Sequence, residues 1–178
     1  MTLTIDLGNT RAKLTIFDAQ ASILEHHSVA HDDLVEQLRQ LLSMHPEIRR
    51  ICWCAVGEIP AEFPAFLANC RYVVQQLCPT APPSGITLGY RTPATLGADR
   101  LAAVMGAQSL LPHRTVLVID AGTCITFDLL LSDGHYLGGN ISPGLEMRLR
   151  AMHEFTARLP LVSAEGDNPD YGYDTITA

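Results

Sequence analysis

Leu3-Thr4-Ile5-Asp6-Leu7-Gly8-Asn9-Thr10 and Val116-Leu117-Val118-Ile119-Asp120-Ala121-Gly122-Thr123 decide the fold of this chain. Each is a short apolar run that reaches an aspartate and turns at once through a glycine. Each leads into a further β-rich run, and Phe17-Asp18 and Phe127-Asp128 close those second runs. A strand–D-x-G-[N/T]–strand unit met twice predicts a duplicated pair of α/β domains with a cleft between them.

Outward from the first unit, the pattern predicts strands at 3–6, 12–17 and 23–28, with Asp18-Ala19-Gln20 as a turn. A helix follows at 32–43, with Leu34, Leu38, Leu41 and Leu42 on one face, Asp32 as N-cap and Pro46 past its end. Then come a buried strand at 48–56, a short helix at 61–69 and a strand at 72–76. The Pro-rich stretch 78–84 reads as a linker. Beyond it, a helix at 94–111 precedes strands at 115–120, 124–131 and 135–141 and a helix at 143–158. The expected division is a first domain with its linker at 1–84, and at 85–178 a helix followed by the opening part of the second domain. That second copy lacks its later elements.

The chain has 178 residues, 47% apolar, enough for one good core or two small ones. Its net charge of −7, with only 12 basic residues, argues against nucleic acid, whose phosphates demand a basic face. Lys13 is the only lysine. The N-terminus MTLTIDLGNT has no basic start and meets an acid at Asp6, which predicts no signal peptide. Asp120 and Asp128 interrupt the longest apolar stretch, 116–131, so no membrane span is expected. Cys52, Cys54, Cys70, Cys78 and Cys124 form no zinc spacing and read as reduced thiols of a cytoplasmic protein.

The loop Asp6-Leu7-Gly8-Asn9-Thr10 suits phosphate. Gly8 permits positive φ and close approach, and the following amides with the Asn9 and Thr10 side chains can grip phosphate oxygens. Asp6 can hold magnesium through water. Taken alone this is also a common hairpin turn; the partner loop 120–123 makes it one side of a two-sided clamp. A third constellation is Gly97-Ala98-Asp99-Arg100 at a helix start. Read blandly, Thr95 caps that helix and Asp99 favours its positive end. Read sharply, Arg100 binds a carboxylate bidentately and Asp99 takes a hydroxyl proton. Spacing alone leaves both open.

Together, D-L-G-N-T-R-A-K at 6–13, Y-R-T-P-A-T-L-G-A-D-R at 90–100, I-D-A-G-T at 119–123 and G-G-N-I-S-P-G at 138–144 resemble type III pantothenate kinases over nearly the whole chain. The resemblance implies duplicated ribonuclease-H-like (actin-like ATPase) domains, the second incomplete here. It implies transfer of the ATP γ-phosphate, with Mg2+, to the 4′-hydroxyl of pantothenate in coenzyme A biosynthesis. It also implies a required monovalent cation (K+ or NH4+) and a homodimer whose interface helps build the pantothenate pocket.

Position by position, the resemblance gives Asp6, Leu7, Gly8, Asn9, Thr10, Arg11, Ala12 and Lys13 to the ATP phosphates, with Gly122 and Thr123 opposite. It gives Tyr90, Gly97, Ala98, Asp99, Arg100 and Thr175 to pantothenate, Asp99 being the proton acceptor. Asp120 falls to the monovalent cation. One departure is Cys54-Ala55-Val56, where the family often has paired serines before a valine. Another small-molecule kinase on this fold, or a non-catalytic regulator, are the alternative readings; an intact Asp6, Asp99 and Asp120 argue against the regulator.

Overall fold

The computed structural model describes residues 1–165 and 169–177. The first unit folds as a hairpin of β1 (Thr2–Leu7) and β2 (Ala12–Phe17), extended by β3 (Ile23–Val29). After α1 (Leu34–Met44), strand β4 (Arg50–Ala55) returns parallel to β1. After α2 (Glu62–Ala68), β5 (Val73–Gln76) pairs parallel with β4. The sheet order is β3-β2-β1-β4-β5.

Strict alternation decides which side is core. Leu3, Ile5 and Leu7 of β1 and Ala12, Leu14 and Ile16 of β2 are buried under the apolar stripe of α1 and under Phe63. Asp6 points the other way, and the pairing places Lys13 and Cys54 beside it on that second face. The spacing in the sequence therefore sends the Asp6 carboxylate away from the core.

A second apolar cluster, built on Ile86, Leu96, Leu101, Val104, Leu130 and Tyr136, belongs to the later half. Its sheet runs β6 (Thr87–Leu88), β9 (His135–Pro143), β8 (Cys124–Leu130), β7 (Val116–Ala121). The antiparallel trio β7, β8, β9 repeats β1, β2, β3. Among the described residues nothing occupies the outer edge of β7, where β4 lies in the first sheet. Leu117 and Ile119 there are 56% and 57% exposed. Helix α3 (Ala98–Leu110) packs on β7 and β8 and reaches β4, so it stands between the sheets. Helix α4 (Leu145–Glu154) is the last regular element among the described residues.

Several boundaries differ from expectation. Asp32 does not cap α1: Asp33 holds the N-cap position without a side-chain bond. Backbone bonds from Asp33 N–H to Ala30 O and from Leu34 N–H to His31 O tighten the entry instead. The single helix expected at 94–111 is a 3-10 turn (Pro93–Thr95), a break, and α3. Thr95 is no cap, because its hydroxyl turns back to Thr92. The last helix is shorter than 143–158, since Pro143 still belongs to β9 and Gly144 holds the N-cap position. β6, only two residues long, carried no periodicity to read.

Candidate active site

The two D-x-G loops meet. Thr10 Oγ1 lies 3.1 Å from Thr123 Oγ1 across the gap between the halves. Asn9, Thr10, Gly122 and Thr123 are all exposed there. The first loop is closed by Gly8 N–H to Arg11 O at 3.2 Å, enclosing two residues, and the second more tightly by Gly122 N–H to Cys124 O at 2.9 Å, enclosing one. Gly8 does not use positive φ, which is found at Gly85, Gly134 and Gly138 among the glycines. Its need is space, since a Cβ would meet Arg11 O at 3.1 Å.

Each loop rests on a glycine, the first on Gly57, to which the sequence gave no motif, and the second on Gly144, the last residue of the 138–144 motif. Gly57, just past β4, sits against Gly8 and Asn9 with its N–H bonded to Leu7 O at 3.3 Å. Gly144, just past β9, sits against Gly122 and Thr123 with its N–H bonded to Thr123 O at 3.0 Å. At neither place is there room for a side chain against the loop backbone. For Gly57 the only signal in the chain was a glycine close after a strand, Val56 alone lying between it and the end of β4.

The expected phosphate-loop residues divide. Leu7 and Ala12 point into the core and offer a ligand no side chain. Arg11 is bound to β3, donating from Nε to Ser28 Oγ (2.8 Å) and from Nη2 to Ser28 O (2.6 Å). Lys13 stands 3.8 Å from Asp6 and is exposed. Cys54 donates to the other Asp6 oxygen at 3.7 Å. Burial pushes that thiol up to about 12, and the Asp6 charge pushes the same way.

Asp99, in the first turn of α3, is half-buried and accepts the Arg100 backbone N–H at 2.8 Å. Burial raises its pKa most. The Arg100 N–H opposes this, and the charges of Asp6 and Asp120 raise it further. Carboxylates from β1 and β7 thus both bear on Asp99 at the gap between the loops. Among the described residues no group of three or more His, Cys, Asp or Glu is placed to cage a metal. Asp120 is exposed, and the β7 edge beside it is open.

Arg100 departs further from expectation. It is buried, and its guanidinium grips Asp128 of β8 from Nε at 3.0 and 3.1 Å and again from Nη2. The bidentate carboxylate partner is therefore supplied by the protein. Tyr136 donates to the same Asp128 oxygen at 2.6 Å; burial, then the Asp128 carboxylate, holds its phenol well above the usual tyrosine range. Tyr90 lies under the Arg100 guanidinium, 5.8 Å to the ring centroid, and backs onto Gly138. Ala98 is buried and Gly97 holds the N-cap position of α3. Thr175 is elsewhere: it lines a cavity of about 580 Å³ with Leu149 and Met152 of α4 and with Leu159, Pro160 and Val162, away from 90–100.

A family model for type III pantothenate kinase matches residues 2–178. A type III pantothenate kinase of Bacteroides fragilis is 45% identical over 180 residues, covering all of this chain and 72% of that protein. One from Phocaeicola vulgatus is 43% identical and one from Flavobacterium johnsoniae 35%, with the same coverage. Among solved structures, ethanolamine utilization protein EutJ from Carboxydothermus hydrogenoformans superposes with a TM-score of 0.50 at 12% identity, covering 89% of this chain and 57% of that one. A Sinorhizobium meliloti protein provisionally described as a 2-dehydro-3-deoxygalactonokinase also scores 0.50, at 17% identity, covering 88% and 57%. Likeness at that identity shows the fold alone, the duplicated actin-like one.

Proposed function

This chain belongs to the type III pantothenate kinase family, and from that premise we propose that its two loops and Asp99 transfer the γ-phosphoryl group of ATP to the 4′-hydroxyl of pantothenate. The reaction opens coenzyme A biosynthesis. The observation that carries the site assignment is the meeting of Thr10 and Thr123, with Asp99 close enough to feel both Asp6 and Asp120.

Phosphoryl transfer passes through a loose transition state, so placement and charge outweigh base strength. Fixing acceptor and phosphate in line is worth roughly 7–11 kcal/mol, against about 10²–10⁴-fold for a general base. In this reading the amides of 8–11 and 122–123 and the Asn9, Thr10 and Thr123 side chains hold the phosphates. Lys13 adds a positive charge beside Asp6, and Arg11 stiffens the loop from β3. Asp99 orients the hydroxyl and receives its proton as the bond to phosphorus forms; its raised pKa makes it a better acceptor than an ordinary aspartate.

A divalent metal bound with ATP neutralises charge on the phosphate oxygens. The donors present fit Mg2+, which takes one or two carboxylates and keeps several waters and phosphate oxygens rather than needing a protein cage. Asp6 is the carboxylate that would hold it, through water. For the monovalent cation, K+ or NH4+, the proposed ligand is Asp120, whose exposed carboxylate lies in a region of crowded negative charge.

Pantothenate would rest against Tyr90 and Gly97–Arg100. Nε and Nη2 of Arg100 are engaged, so Nη1 is its remaining corner for the substrate. Thr175 enters this reading through a homodimer whose interface completes the pocket; the exposed Leu145, Met152 and Phe155 of the α4 region support such an interface. The five free cysteines support a cytoplasmic setting, and no helix among the described residues is long and apolar enough to cross a membrane. Coupled ADP release by the full-length protein, with and without pantothenate and K+, tests the whole reading. ADP release that ignores pantothenate would refute it.

A further inference from the structure

Arg100 (5% exposed) and Asp128 (1%) are the only buried charged residues among those described, and they are buried against each other. Around them the cluster is apolar apart from the hydroxyls of Tyr136 and Tyr90. Such a pair is weak evidence for stability, because desolvating two charges offsets their attraction and apolar side chains of like volume often serve as well. What it supplies is direction: a planar guanidinium held through two nitrogens has a single orientation.

Direction matters here because of what Arg100 joins. Its backbone N–H is the donor to the Asp99 carboxylate, and its guanidinium covers the Tyr90 ring. One carboxylate on β8 thus secures a residue whose main chain sets Asp99 and whose side chain supports Tyr90. We propose that Asp128 is a positioning residue of the transfer site, acting through Arg100 to hold the first turn of α3 so that Asp99 and Tyr90 meet the acceptor.

The internal repeat sharpens the inference, which rests on the kinase reading above. Asp128 pairs with Val118, two before Asp120, as Thr15 pairs with Thr4, two before Asp6, so the first copy has a threonine where the second has this aspartate. The Thr15 hydroxyl meets only the neighbouring strand, at His26 Nδ1, 2.9 Å away. Asp128 instead lies on the sheet face beneath α3, bound to Arg100 and Tyr136. The equivalent position makes a neighbour-strand contact in one half and a long-range ion pair in the half that carries Asp99.

The test uses the full-length enzyme and compares Asp128→Asn, Asp99→Asn and the double variant, with pantothenate and ATP varied separately. Displacing a reacting group by a fraction of an ångström is felt strongly, so Asp128→Asn should lower kcat/KM for pantothenate by about ten-fold or more while KM for ATP stays within about two-fold. In the Asp99→Asn background the same change should cost at least about three-fold less than in the parent, the remaining loss being that of a displaced Tyr90. A purely structural role would harm both substrates alike and add fully to Asp99→Asn. Tyr136→Phe keeps the ring and removes one donor to Asp128; it should lower kcat/KM for pantothenate by about three-fold, and it decides the matter if Asp128→Asn does not fold. Parent kinetics in a folded variant, or full additivity, overturns the inference. A parent enzyme without pantothenate-dependent ADP release overturns the kinase reading and this inference with it.

Discussion

Replacing Gly57 by alanine tests how the first D-x-G loop is held. An added Cβ would lie 2.6 Å from Gly8 O and 3.1 Å from both Gly8 C and Asn9 Cα. These are backbone atoms, so no side chain can swing aside. Bringing the nearest contact to 3.4 Å, where ordinary van der Waals contact begins, requires the loop to retreat by about 0.8 Å. The loop amides and Thr10 would retreat with it, stretching the 3.1 Å approach to Thr123. Misplacement by 1 Å can cost 10²-fold, so this shift predicts a loss of roughly 10- to 50-fold in kcat/KM for ATP. Overpacking should also destabilise the fold by about 1–3 kcal/mol. Steady-state ADP release with ATP varied reads the first effect, and thermal melting reads the second. A folded Gly57→Ala enzyme with parental turnover and ATP affinity would refute the reasoning, showing either that the loop yields freely or that it does not hold the phosphates. Gly144→Ala presses on Gly122 and Thr123 from the other side and should act in the same direction.

Asp99→Asn should lower turnover by about 10²–10⁴-fold with the fold intact. In the parent, the pH profile for pantothenate should show an acid limb above the usual aspartate range, absent from the variant. Because the folded pKa is the raised one, stability from this group is present below the unfolded value and lost as pH rises through the folded one; Asp99→Asn should therefore melt no lower than the parent at pH 7. Activity should require K+ or NH4+ over Na+ at matched ionic strength, and Asp120→Ala should weaken both that preference and ATP use; equal rates in Na+ and K+ would count against it. With limiting iodoacetamide at pH 8, mass spectrometry should find Cys78 labelled first, since it is exposed and the Thr80 hydroxyl lowers its pKa. Cys54, pushed up to about 12, should stay unmodified, and early labelling there would contradict its burial. Gly106→Ala in α3, where a Cβ meets nothing within 4 Å, should stabilise the protein by about 0.5–1 kcal/mol, read by melting.

Much of this architecture was legible in the chain because strand and helix periods are local. Alternation in Leu3–Leu7 announced both the core face and the opposite direction of Asp6, and the D-x-G turns announced two equivalent loops. The leucines of α1 announced its buried stripe, while its cap was misread because backbone turns, not Asp32, close the entry. Thr95 failed for a related reason: a hydroxyl with a nearby carbonyl chooses between two local bonds that the sequence weighs alike.

By itself, then, the sequence determined the repeat, the faces of the strands, the two D-x-G turns and, through its motifs, the family. Tertiary structure alone decided which groups act together. It set Thr10 against Thr123, seated Gly57 and Gly144 beneath the two loops, and turned Arg100 from an open acceptor site onto Asp128. It also left Asp120 exposed and carried Thr175 to the α4 side. The reason is physical: a residue's period and turn preference depend on its neighbours in the chain, whereas the partner of a buried charge depends on what the second sheet brings across the interface. No local pattern at 99–100 specifies an aspartate on β8, and only the packing of α3 between the two sheets selects it.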